Sequence, residues 1–199
     1  YSIIHNFVDT DLFDYQPKSS DDRKRILGIR PFANRKYAND LTAKAIIELS
    51  TRPFFKELEF RIIGDGRLFE ETVAPLRSFD NVILEKRFLP QDEIARLHKD
   101  YGLFLTPTRM DAQGVSRDEA MSSGLVPLTN EVAAIPEFVD ETCAILAQAE
   151  DYLALANGIE FLYKNPDEFL RMSQAAAERV RKQTSFVHTI AKEIELIKG

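Results

Sequence analysis

With 199 residues, 44% of them apolar, the chain can bury one sizeable core but has no room for a second full domain. Its 32 acidic and 26 basic residues leave a net charge of −6 with no Lys/Arg run, which argues against a nucleic-acid partner held by phosphate neutralisation. The single cysteine, Cys143, excludes a disulfide framework or a thiolate metal site within the chain; it lies in an apolar run and reads as a buried thiol.

The chain starts at Tyr1 rather than Met, which reads as a fragment whose upstream part has been removed. Asp14 to Lys24, with Pro17, Ser19, Ser20, Asp21 and Asp22, has the composition of an exposed linker. Beyond it come six short apolar runs: Ile26 to Ile29, Leu58 to Ile63, Val82 to Leu84, Leu103 to Thr106, Val126 to Thr129 and Cys143 to Ala147. Their lengths mark them as strands. Between them Leu41, Ala45, Ile46 and Leu49 share one helical face, as do Ile94 and Leu97 after Pro90. Strands alternating with helices predict an α/β fold, a Rossmann-like doubly wound parallel sheet of about six strands. The last third changes character. Tyr152, Leu155, Ala156, Ile159 and Leu162 form one stripe, Phe186, Ile190, Ile194 and Ile197 another, and three consecutive helices are expected to close the chain as a C-terminal helical extension. There is no apolar stretch of about 18 residues and no signal-like start, so a soluble, cytoplasmic protein is expected.

The segment Asp111-Ala-Gln-Gly-Val-Ser-Arg-Asp-Glu119 sits between the fourth apolar run and a helical pattern. In an open α/β sheet, a loop at the carboxyl end of a strand lies in the ligand crevice, and the next helix offers unpaired N–H groups to an anion. Two carboxylates flanking such a junction suit a sugar nucleotide, one meeting the sugar and the other the ribose. Ser116-Arg-Asp-Glu119 also spells a capping box, so Glu119 has a second reading, in which it reaches back to the Ser116 N–H. Other features point elsewhere. Gly64-Asp-Gly66 lacks the third glycine of a dinucleotide fingerprint, since Phe69 stands there, and reads as a tight turn. His5, His98 and His188 have no metal-ligand spacing, and His98, beside Lys99 and Asp100, reads as exposed. Ser122-Ser123-Gly124 reads as a helix end with a C-cap glycine. No metal site is expected.

Five patches, in this order, carry a resemblance. His5-Asn-Phe-Val-Asp-Thr-Asp-Leu-Phe13 is similar to "PNGVDxxxF", Gly28-Ile-Arg30 with Lys36 to "GR…K", and Ile63-Gly-Asp-Gly66 to "VGDG". The paired-acid segment from Asp111 onward is similar to "EGFGxxxxEAMACGxPVV", and Ile135-Pro-Glu137 to "GGIPE". Together they resemble the C-terminal, donor-binding domain of GT-B glycosyltransferases, most closely the retaining family-4 type, over nearly the whole chain.

The resemblance implies one half of a GT-B fold: residues 1–24 as the inter-domain segment, 25–184 as the nucleotide-sugar-binding domain, and 185–199 as a helix that packs on a missing N-terminal acceptor domain, its apolar stripe partly bare here. It implies transfer of a sugar from a nucleoside diphosphate to an acceptor with retention, as in polysaccharide biosynthesis, by a chain that alone binds nucleotide but turns over little. Arg30 and Lys36, the latter preferred over its neighbour Arg35 if the loop carries one extra residue, would balance the charge of the departing diphosphate without a metal or other cofactor. Asp111 takes the place of the glutamate that contacts the donor sugar, one methylene shorter, and Glu119 takes that of the ribose ligand. Gln113, Gly114 and Val115 would line the substrate loop, with Gln113 offering a donor where the family has an aromatic residue. Ala133 and Ala134 stand where "GG" is common and narrow the space near the pyrophosphate. The base would lie against Lys86 to Leu89, covered by Arg87 or Phe88, although Phe88 reads more readily as core. Membrane contact, peripheral at the inner face, would come only through the missing half. Two alternatives stay open: a sugar-nucleotide 2-epimerase-like GT-B enzyme, and a non-catalytic nucleotide-sugar-binding or interaction module.

Overall fold

The structure, a computed structural model, describes residues 5–198; Tyr1, and with it the reading of a truncated start, lies outside them. Six strands form one sheet: β1 (Arg25–Ile29), β2 (Glu59–Gly64), β3 (Val82–Lys86), β4 (Leu103–Leu105), β5 (Val126–Asn130) and β6 (Ile145–Ala147). All pairings are parallel and the spatial order is β3-β2-β1-β4-β5-β6. The chain thus runs outward from β1 in one direction and, after β3, returns to continue from β1 in the other. The carboxyl ends of β1 and β4 flank the point where the winding reverses, and a crevice opens there.

Alternation along each strand feeds two cores. Ile26, Phe60, Ile62, Leu103, Leu105, Val126 and Leu128 point to one face, where they meet Leu41, Ala45, Ile46 and Leu49 of α1 (Asn39–Leu49). Leu155, Ala156, Ile159 and Leu162 of α6 (Tyr152–Lys164) complete that layer. Leu27, Ile63 and Phe104 point to the other face, against Leu97 and Tyr101 around α3 (Gln91–Asp100) and Ala120 of α4 (Val115–Ser122). Burial on both faces explains why the central strands read as unbroken apolar runs, whereas Ile83 of the edge strand β3 is exposed. Two short helices, α2 (Phe69–Val73) and α5 (Ile135–Phe138), fill the β2–β3 and β5–β6 connections. The 18-residue α7 (Pro166–Gln183) runs from the first core, where it places Phe169 and Met172, to a third cluster, where Ala176 and Val180 lie with Cys143, Met121 and Phe138. Cys143 is buried, as its apolar run implied.

The chain closes with a 3-10 turn at Phe186–His188 and α8 (Ile190–Lys198), so Phe186 precedes the last helix rather than starting it. No side chain of α8 is buried, and Ile197 is 81% exposed. No helix among the described residues is long and apolar enough to cross a membrane.

Two readings are corrected. Asp14 to Lys24 is not a free linker: Lys18 and Asp22 are buried, the Lys18 Nζ donates to the His98 carbonyl at 2.5 Å, and Ser20–Lys24 forms a 3-10 turn against the body. His98 is fully buried, between the rings of Phe13 and Phe104, with Nδ1 at 3.3 Å from the Ser123 hydroxyl. Burial first, then Lys18, pushes its imidazole down to about 3, so it is neutral. The polar neighbours Lys99 and Asp100 hid a residue that points inward one helical position earlier.

Candidate active site at the sheet's switch point

The turn after β1 carries Arg30, and the end of β2 holds that turn in place. The Arg30 N–H donates to the Ile63 carbonyl at 3.1 Å and the Phe32 N–H to the Asp65 carbonyl at 2.8 Å. A side chain at Gly64 would overlap the Arg30 carbonyl oxygen, which is why glycine stands there. The Gly64-Asp-Gly66 turn therefore supports the site through packing.

Arg30 is buried; its Nη1 lies 3.7 Å from Asp111 Oδ2 and its Nη2 donates to the Pro107 carbonyl at 3.5 Å. Burial lowers the affinity of the guanidinium for its proton and Asp111 and Tyr37 oppose that, so the group stays charged. Its Nε has no protein partner. The Tyr37 ring receives Arg30 at 5.3 Å and the Lys36 ammonium at 5.0 Å, within cation–π range. The structure thus brings Arg30 and Lys36 to one tyrosine, and Asp111 joins them through its contact with Arg30. Arg35 points elsewhere and lines a depression of about 290 Å3 with Asn39, Lys44, Leu68 and Thr72. That depression does not include Arg30 or Asp111; the crevice at the reversal of strand order is where Arg30 and Lys36 meet the Tyr37 ring.

Gly114 caps α4 with φ of 85°, a left-handed conformation that favours glycine. The space its missing side chain leaves is occupied: a Cβ there would lie 3.1 Å from the guanidinium of Arg117. Arg117 is the bulkiest fully buried side chain among the described residues. It pairs with Asp118 Oδ1 at 2.6 Å, donates to the Gln113 carbonyl, and packs over the Phe138 ring at 5.5 Å. Gln113 was expected to offer a donor to a ligand. Instead its amide is already engaged, accepting from Asn6 N–H at 2.7 Å and donating to the Asn6 carbonyl at 2.9 Å and to Asp118 at 3.1 Å. Val115 begins α4, half-buried.

The helix starts at Val115, so Ser116 lies inside the first turn and no side-chain cap bond forms. Glu119 is thereby released from the capping-box reading. Its Oε1 accepts from the Gln91 amide at 3.4 Å at the start of α3. Burial first, then Asp118, pushes its carboxyl up to about 7. Arg87 is held by carboxylates on both sides, with Glu85 at 2.6 Å and Glu93 at 2.7 Å. Phe88 is 75% exposed, which corrects its reading as core. Ala133 has φ of 50° and Ala134 has −87°, so only the first needs the freedom of a glycine.

Sequence reasoning missed two arginines. Arg117 had a signal: with Ala120 and Met121 it follows i, i+3, i+4 spacing, which puts it on the buried face of α4. Arg109 had none, because its partners, Asp40 and Glu150, are 69 and 41 residues away.

A family model described as "Glycosyl transferases group 1" matches residues 23–165. Sucrose-phosphate synthase from Thermosynechococcus elongatus superposes with a TM-score of 0.82 at 17% identity, covering 99% of this chain and 52% of that one. The C-terminal domain of the glycosyl transferase group 1 protein LpcC from Francisella tularensis gives 0.74 at 17%, covering 89% of this chain and 98% of that domain. Anabaena HepE in complex with UDP and glucose gives 0.78 at 16%, covering 99% and 56%. The chain therefore spans about half the length of the first and third, and at these identities the likeness shows the fold alone. A comparison with curated proteins gives no match. The sheet order and the family match agree: the chain belongs to the glycosyl transferases group 1 family and has the fold of a GT-B C-terminal domain.

Proposed function

We propose that this chain is the donor-binding domain of a retaining, family-4-like glycosyltransferase that takes its sugar from a nucleoside diphosphate. The observation that carries the reading is the convergence of Arg30 and Lys36 on Tyr37 at the switch point, with Asp111 against Arg30. A buried guanidinium with one N–H unpartnered and an exposed ammonium beside it match a diphosphate, whose charge grows as the glycosidic bond breaks. Arg30 and Lys36 supply the positive charge, so this reading calls for no metal. Asp111 accepts from sugar hydroxyls, and Glu119, free of any capping role, accepts from ribose hydroxyls at the α3–α4 side. The exposed Phe88 offers a face for the base. HepE, with this fold, holds UDP and glucose, which adds support.

In this reading residues 1–24 form the inter-domain segment, 25–184 the donor domain, and 185–199 the helix that packs on an acceptor domain. The bare face of α8 and the edge-on contact of Phe7 with Phe186 at 6.0 Å fit that division. The chain alone then binds nucleotide with little turnover, because the acceptor side of the cleft is supplied by the other domain. Calorimetry with UDP, GDP and ADP tests it. One of them should bind, and the triple change Arg30→Ala, Lys36→Ala and Glu119→Ala should abolish that binding; unchanged affinity in the triple variant refutes the site.

A further inference from the structure

The turn that carries Lys36, Arg35–Tyr37, is a three-residue 3-10 turn with no buried residue. Its own bonds, such as Lys36 N–H to Asn34 Oδ1 at 3.0 Å, shape the turn but do not fix it to the sheet. That connection comes from the loop after β4, where the Arg109 backbone N–H donates to the Lys36 carbonyl at 2.9 Å and the Thr108 hydroxyl donates to the same carbonyl at 3.4 Å. The Arg109 side chain adds the Arg35 carbonyl, to which Nη1 donates at 2.7 Å. The same guanidinium forks onto both Asp40 oxygens at 2.8 Å, at the start of α1, and onto both Glu150 oxygens at 2.6 and 2.7 Å, beyond β6. Glu150 has φ of 63°, a left-handed conformation that costs a non-glycine residue energy. One side chain thus ties the Lys36 turn to α1 and to the segment after β6.

Side-chain exposures of 28% for Arg109, 42% for Asp40 and 57% for Glu150 leave the ion pairs partly solvated, so the clamp adds a modest amount to folding stability through its bidentate network. What the clamp does fix is direction: Lys36 and Arg30 are like charges held on the same Tyr37 ring, and a free turn would let the ammonium swing away. We propose that Arg109 is a positioning residue for donor binding, holding the Lys36 turn so that the ammonium stays beside Arg30 for the diphosphate. The proposal rests on the proposed role of Lys36 as a diphosphate ligand.

The test is a double-mutant cycle on the full chain with whichever of UDP, GDP and ADP it binds most tightly. Lys36→Ala should weaken binding about tenfold, and Arg109→Lys, which keeps the charge but loses the fork, about fivefold. The double variant should bind no more weakly than Lys36→Ala alone, and amide exchange at Tyr37 and Ala38 should speed up in Arg109→Lys. A fivefold loss that persists in the absence of Lys36, or no loss at all in Arg109→Lys, overturns the role of Arg109. No loss in Lys36→Ala instead overturns the diphosphate role of Lys36, and with it the proposal.

Discussion

Arg30 and Asp111 face each other at 3.7 Å across the switch point, one in the turn after β1 and the other in the loop after β4. That separation exceeds hydrogen-bond range, so the pair is a loose charge contact that an incoming phosphate can replace. The two residues should therefore act in opposite directions on a bare nucleoside diphosphate. Arg30→Ala is expected to weaken binding tenfold or more, about 1.4 kcal/mol, and Asp111→Asn to tighten it a few-fold. Calorimetry decides, and equal weakening by both changes would contradict the arrangement.

Glu119 gives the chain a pH signature. Its carboxyl rises from 4.5 to about 7 on folding, so the folded chain holds that proton more tightly than the unfolded one does. The associated stability is fully present below about 4.5 and is lost as pH rises toward about 7. Stability to urea should therefore fall between about pH 4.5 and pH 7, by about 1–2 kcal/mol more than in Glu119→Gln. Parallel curves for the two proteins would show that the carboxyl is not held this way.

The buried Arg117–Asp118 pair should be costly to break and cheap to replace. Asp118→Ala leaves a buried guanidinium without its partner, a loss of about 3–5 kcal/mol, whereas Arg117→Leu with Asp118→Leu should lose less than about 2 kcal/mol. Denaturant midpoints compare them. A double variant as unstable as the single one would mean the network contributes more than its charges.

Ala133 and Ala134 separate backbone strain from flexibility. Ala133→Gly relieves a left-handed alanine and should be neutral or stabilising by up to about 1 kcal/mol. Ala134→Gly, at an ordinary φ, should cost about 0.5–1 kcal/mol. Thermal unfolding of the pair checks the contrast, and the reverse order would rule out strain at Ala133.

The sheet, the main helices and the partly bare last helix were legible in the sequence because their signal is local. Ile26 and Leu27 face opposite cores as neighbours on a strand must, and Leu155, Ala156, Ile159 and Leu162 share a face because a helix turns every 3.6 residues. Arg30, Lys36 and Asp111 were singled out by the family resemblance; the structure brings Arg30 to Asp111 and sets Arg30 and Lys36 on one tyrosine ring, and their roles are proposed from that arrangement. What the sequence left open was the partner of each polar side chain. His98 lies under Phe13 and Lys18, Gln113 is bonded to Asn6 at a separation of 107 residues, and Arg109 joins Asp40 to Glu150. Such pairings depend on which distant segments the sheet order brings side by side, and a charged or amide side chain looks the same locally whether solvent or another segment satisfies it.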